Sequence, residues 1–351
     1  MIKTGVIQKR HPSGVDIQST AEFIRRVQKS SGEIPWSEGG KTDPWDHVES
    51  AMGLTVAGYV EAARNAYAWS SATQLSDGSW WSYYRNGSPE PGAYKDSNMT
   101  AYIAVGVYHY YMATRDTDFL HRMWPTVKKA MDYVVAMQGP GGEILWAKRA
   151  DGSTSLRALL TGSSSIYMSL KCALKIATLL GNREHRWNTA QSLLGNVIRY
   201  RPERFDLSKT RFSMDWYYPV LCGAITGDAA WSRLQNQWTR FAVPGWGIRC
   251  VSDRRWTTMA ETAELAVALA AIGRFQAAET TLNWILDKRY PNGAFWTGVT
   301  FPDGIIYTGE ETTWTGAAVL LAADILYHLT PAGRLFRHAT WAPNTMLRDS
   351  L

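Results

Sequence analysis

Blocks of small apolar residues alternate along this chain with blocks that carry charge on one face, and the two kinds of block predict two kinds of helix. Residues 51–57, 101–106, 263–271 and 316–323 are runs of Ala, Gly, Val, Leu and similar residues with few charges. Small side chains let helix axes approach closely, as an inner layer requires. Residues 118–137, 186–200, 229–241 and 274–286 instead place apolar positions on one face and charges on the other. That pattern suits helices that pack on one side and meet water on the other. The small-residue helices begin near Asp46, Asp96, Gly162, Asp215, Glu261 and Glu310, a period of roughly 50 residues, within the range of repeat architectures.

A turn recurs with the helices. Gln28 to Gly32 and Trp36, Gln74 to Gly78 and Trp80, and Gln138 to Gly142 and Trp146 repeat the order Gln, Gly, Trp, and residues 290–296 are a degenerate copy. The shared order predicts that Trp36, Trp80 and Trp146 hold equivalent places and tie each turn to its neighbour. Six inner helices need six outer partners. The last inner helix is stopped by Pro331, and the amphipathic segment 17–29 has no inner helix before it. Packing these two together closes a ring. The fold expected is all-α: a closed α/α toroid of six helical hairpins, one domain over residues 1–351, with short strands or none.

In this repeat the chain resembles the α/α-toroid superfamily, which includes six-hairpin glycosidases, terpenoid cyclases and protein prenyltransferases. Residues 74–80 are similar to the QW repeat of squalene-hopene-type cyclases, and Gln–Asp–Gly–x–Trp turns also occur in six-hairpin sugar enzymes. The resemblance specifies fold better than function, because the fold hosts several chemistries. The DxDD acid motif of class II cyclases is missing from the sequence. So are a prenyltransferase zinc set and a paired-aspartate magnesium motif.

Composition narrows the class. The 351 residues are 45% hydrophobic and 19% charged, enough to build a large core. Segment 1–11 is polar and lacks the apolar core of a signal peptide. The apolar run 316–329 is interrupted by Asp324 and is shorter than the roughly 20 residues of a membrane span. A cytoplasmic protein without a membrane span is expected, with Cys172, Cys222 and Cys250 as reduced thiols. The net charge is +6, but Lys and Arg are scattered as on solvated faces, so no nucleic-acid partner is expected. No cofactor or metal is expected either, and the oligomeric state stays open.

Candidate chemistry lies at the inner-helix starts, which one mouth of a toroid brings together. Five of the six starts carry acids beside aromatic residues. Acids cap helices and suit the macrodipole, but capping does not call for indoles. Indoles stack on the CH faces of sugars, and two carboxyls divide acid and base roles in glycoside cleavage. The catalytic candidates are Asp46 or Glu49 on one side and Glu261 or Glu311 on the other. Asp46 and Glu49 share a helical face and raise each other's pKa. Asp43, His47, Asp96, Asp215, Tyr217, Trp45, Trp216, Trp256 and Trp314 are expected to bind a small-molecule substrate. This reading favours an enzyme acting on a carbohydrate or glycosylated molecule. A cyclase-like or prenyl-transferring enzyme with an aromatic cavity and a non-catalytic binding toroid are the alternatives.

Overall fold

The computed structural model describes residues 14–342, so segment 1–11 lies outside the described residues. Helices alternate between an outer and an inner layer. In chain order they are α1 (Ile17–Val27), α2 (Pro44–Val56), α3 (Val60–Thr73), α4 (Ser97–Ala101), α5 (Ile103–Thr114), α6 (Thr117–Ala136) and α7 (Leu160–Leu179). There follow α8 (His185–Tyr200), α9 (Ser213–Leu221), α10 (Gly227–Asn236), α11 (Trp238–Phe241), α12 (Met259–Ala271), α13 (Phe275–Asn283) and α14 (Thr313–Tyr327). The inner helices touch in a closed cycle, α2 on α5, α5 on α7, α7 on α9, α9 on α12, α12 on α14, and α14 back on α2. The fold is an α/α toroid, and every residue of α12 is buried in it.

Small residues set the inner spacing. A Cβ on Gly53 of α2 would stand 3.0 Å from the Ala317 backbone of α14, and one on Gly106 of α5 only 2.4 Å from Val48 of α2. On the outside, α3, α6, α8, α10 and α13 lie on the inner helices that precede them, while α1 packs on α14. The segment that opens the described chain thus supplies the outer partner that the last inner helix lacks. Gly316 of α14 leaves room there for Thr20 of α1. The backbone N–H of Thr313, at the start of α14, donates to Trp36 O at 2.7 Å.

The repeated turn holds the outer layer together. Gln74 Nε2 donates to Gly78 O of its own turn and to Thr126 O of the next outer helix, both at 2.9 Å. Gln138 does the same with Gly142 and Ala190, and Gln28 with Gly32 and Ala62. Gly78 sits at φ +92°, and a Cβ there would lie 2.2 Å from Lys129 O on α6. Gly293, in the degenerate copy, sits at φ +95° with the same 2.2 Å approach to Ser19 O on α1. That last contact joins the end of the outer ring to its beginning.

The three tryptophans are not equivalent. Counted from the turn glycine, the buried position is the second residue after it, occupied by Ile34, Trp80, Ile144 and Phe295. Trp80 is therefore core, its Nε1 donating to Ser70 O. Trp36 and Trp146 come two residues later, are only partly buried, and bond to Asp43 and Ser155. Their shared distance from Trp to Gly with each other, and not with Trp80, follows from this register.

Short strands fill the loops between the layers. The longest set is a four-stranded antiparallel sheet of Ala242–Val243, Gly247–Arg249, Trp256–Thr258 and Gly298–Thr300, leading into α12. Among the described residues no helix is long and apolar enough to cross a membrane.

Gly293→Ala should lower stability by about 3 kcal/mol or more in urea unfolding, since strained φ and a backbone clash act together. Gly273→Ala, at φ +79° with nothing within 4 Å of the added Cβ, should cost only about 1 kcal/mol from φ. Equal losses at the two positions would mean that the contact with α1 does not bear on stability.

Candidate active site

Pro44 and the Asp43 cap start α2. Asp43 Oδ1 accepts from Asp46 N at 2.9 Å, and its Oδ2 accepts from Trp36 Nε1 at 2.6 Å. The cap fixes the first turn of the helix, so Asp46 and Glu49 point to one side, one turn apart. Facing them is α12, with Glu261 and Glu264 at the same three-residue spacing on an otherwise Ala- and Leu-rich helix. Glu49, Glu261 and Glu264 are buried, and Asp46 is partly buried.

The four carboxyls form one electrostatic unit. Burial pushes Asp46 well above the ordinary carboxylate range, and the negative charges of Asp43, Glu49 and Glu264 push it further. Glu49 is raised by burial and then by Glu264 and Asp43. Glu264 is raised to about 8, mainly by burial, although two phenols stabilise its charge. Tyr218 donates to Glu264 Oε1 at 2.9 Å and Tyr217 donates to Oε2. Glu261 differs, because its Oε2 is buried with no hydrogen-bond partner. Trp45 packs against Tyr102 and Tyr218, with ring centroids 5.7 and 5.6 Å away. It forms an aromatic wall beside the acids. A small cavity of about 110 Å³ beyond Trp45 is lined by Asp96, Asn98, Trp146, Thr161 and Ser163, among others. Asp96 caps α4 through Asn98 N and Met99 N, and burial raises it to about 7.

Several expected site residues turn elsewhere. His47 is fully buried; its Nδ1 accepts from Ile34 N and its Nε2 faces Ala66 O, so no ring nitrogen is left for a substrate. Burial lowers it to about 4, a neutral structural histidine. Trp216 is buried with its Nε1 on Arg233 O and its ring stacked on Phe241, so it is core. Glu311 accepts from Asn292 at 2.6 Å in a separate pocket beside α1, lined by Arg26 and Glu310, and is not brought to the four carboxyls. Asp215 is buried and accepts from Thr161 Oγ1 at 2.6 Å, linking α9 to α7. Trp256 donates to Tyr307 O on the loop hairpin above α12. Trp314, like Trp45, is partly buried with an indole N–H that lacks an acceptor. Tyr102, Tyr218 and Glu264 are the additions. The signal for Glu264 was present in the spacing, which repeats that of Asp46 and Glu49. Among the described residues no group of three or more His, Cys, Asp or Glu is arranged to hold a metal ion.

The comparisons with known proteins bear on this arrangement. No family model matches the chain. Over 320 residues it is 50% identical to the MMP endo-(1,4)-3-O-methyl-alpha-D-mannosidase of Mycolicibacterium hassiacum, covering 91% of this chain and 88% of that one. The chain belongs to this family of glycosidases. A 142-residue stretch is also 30% identical to an uncharacterized glycosyl hydrolase of Methanocaldococcus jannaschii, covering 39% of this chain and 22% of that one. Among solved structures, a glycosidase in complex with glucose superposes with a TM-score of 0.73 at 15% identity, over 90% of this chain and 96% of the other. A GH63 mannosylglycerate hydrolase from Thermus thermophilus gives 0.67 at 11% identity, over 87% and 98%. A D-mannose isomerase gives 0.69 at 10%, over 89% and 96%. Likeness at such identities carries the fold alone, and the isomerase shows that the fold does not fix the reaction. The protein is a glycosidase-like enzyme, and the glycosidase branch of the resemblance is the one these relatives support.

Glu264 gives the site a pH signature. Its folded pKa lies above its ordinary value of 4.5. The stability it contributes is therefore full below about pH 4.5 and is lost as pH rises toward 8. Glu264→Gln keeps the position neutral, so the fall in Tm between pH 5 and 8 should shrink in that variant. Scanning fluorimetry across this range checks it, and a wild-type pH profile in the variant would assign the loss to other groups.

Proposed function

We propose that this enzyme hydrolyses internal 1,4 linkages of an α-mannoside chain that carries 3-O-methyl groups, the reaction named for its 50% identical relative. The observation that carries the reading is the pair of acid-bearing turns facing each other from α2 and α12. Asp46 is the proposed general acid. Burial, and then the charges of its neighbours, raise its pKa and so favour the protonated form that protonation of a leaving oxygen requires. Glu261 is the proposed partner, base or nucleophile, since a carboxylate oxygen without a hydrogen-bond partner is free to take a proton or attack. Glu49 and Glu264 lie beside them, and any charge that either acquires as pH rises raises Asp46 further. Asp43 sets the orientation of Asp46, while Trp45, Asp96 and Trp314 line the path of the sugar. Three cysteines free of disulfides support a cytoplasmic setting.

Asp46→Asn and Glu261→Gln should each reduce turnover of a 3-O-methylated 1,4-α-mannan oligosaccharide by at least about a thousandfold with folding retained. Glu311→Gln should keep most activity. Glu264→Gln prevents that position from ionising as pH rises toward 8, so Asp46 loses a repelling charge there and the alkaline limb of the activity profile should move to lower pH. Full activity in both Asp46→Asn and Glu261→Gln would sink the assignment, and cleavage of other glycosides in preference to the methylated mannoside would sink the substrate.

A further inference from the structure

Lys171 and Lys175 lie one turn apart on α7, roughly 17 and 23 Å along it from its start at 1.5 Å per residue. They therefore lie in the second half of the helix, away from the mouth. A cavity of about 600 Å³ opens there between α7, α8 and the 3-10 turn His338–Trp341, lined by Lys171, Lys175 and Arg199 with Tyr167, Gln191 and Trp341 among others. Among the described residues no carboxylate lines it. The Lys171 ammonium is 4.3 Å from the Trp341 ring centroid and 5.7 Å from that of Tyr167. Among the described residues it makes no ion pair, and burial holds its pKa down to about 8. Gly223 leaves the space above it open, since a Cβ there would come within 3.4 Å of Lys171 Nζ. Arg199 donates from Nε to Ala224 O at 2.8 Å and from Nη2 to the Tyr167 hydroxyl at 3.3 Å, which fixes its guanidinium at the cavity edge.

We propose that this cavity binds a phosphate group, free or as the monoester of a small sugar, between Lys171, Lys175 and Arg199. A partly buried ammonium with no ion pair among the described residues is costly, and for packing alone a Met would fill the same space. Three cations in a half-enclosed, aromatic-walled cavity concentrate anions, and an Arg fork with two ammonium groups matches phosphate oxygens. Asn188, Gln191 and the Tyr167 hydroxyl offer partners for the hydroxyls of an attached sugar.

The test is thermal unfolding and calorimetric titration of the full chain with inorganic phosphate and with mannose 1-phosphate, against chloride at matched ionic strength. The wild type should show a saturable rise in Tm with either phosphate. Tenfold tighter binding of mannose 1-phosphate would identify a sugar-phosphate site, and equal binding a site for the phosphate itself. The double variant Lys171→Met, Lys175→Met should unfold in chloride at the wild-type temperature or above. It should bind either probe at least tenfold more weakly. Absence of a saturable shift in the wild type, or the same shift in the double variant, would overturn the proposal. Because the double variant removes partly buried positive charges that pair with no described acid, it should fold; Lys175→Met alone provides the same comparison with a partial loss of affinity.

Discussion

One contact recurs around the ring, and the rest of the protein depends on it: a glutamine amide that spans its own turn and reaches the carbonyl of the next outer helix. Gln28, Gln74 and Gln138 each make it, and a glycine at positive φ lets the turn lie flat against that helix. A hairpin alone cannot bury both faces of its inner helix. The latch sets the first hairpins at a fixed rotation from one another, so their inner helices meet along their small-residue faces. At Gly293 the same turn lands on α1 instead of on a later helix, and the rotation closes. Closure leaves no exposed apolar end of the kind an open array must cap.

Closure is also what concentrates charge. The inner helices enter from one side, so their first turns share one mouth, and acids placed there by helix chemistry are forced on one another. Helix N-termini favour carboxylates, and burial disfavours them. In Asp46, Glu49 and Glu264 burial and then repulsion raise the pKa, for Glu264 to about 8. The two tyrosines that bond Glu264 oppose this shift without cancelling it. A fold stabilised by apolar contacts elsewhere can carry such strain, and the carboxyls held protonated in this way are suited to donating a proton.

Which parts of this were legible in the sequence follows from how local each signal is. The helices, their two classes and the ring were readable because small-residue runs, amphipathic runs and Gly turns each report on a few neighbouring residues. Outer-helix bounds such as 186–200 agree with His185–Tyr200 to within a residue. Side-chain direction was less readable. His47 follows Asp46 by one position, yet that step rotates it by about 100°, out of the mouth and onto Ala66 O. Trp216 and Tyr217 are likewise adjacent, but one is core and the other holds Glu264. Glu311 precedes α14 in a loop, where helical geometry gives no direction, and Asn292 decides where it points. The turn tryptophans were misread for a related reason: the fixed point of the register is the glycine, and counting from Trp merges two different positions.

Acidic and basic residues gather at different places in the ring. Composition alone shows a chain of net charge +6 with its basic residues dispersed. Folding sorts them. Acids gather where inner helices begin, and Lys171, Lys175 and Arg199 come together around a cavity along the α7–α8 hairpin. The inner-helix macrodipoles are positive at the mouth, so the acids lie at dipole ends that tolerate them, whereas Lys171 and Lys175 lie above the last turn of α7, where the dipole gives them little. The macrodipole does not account for Lys171, whose partly buried ammonium makes no ion pair among the described residues, at a cost that a solvent-exposed lysine would avoid. That excess cost is what sets this cavity apart from an ordinary basic surface.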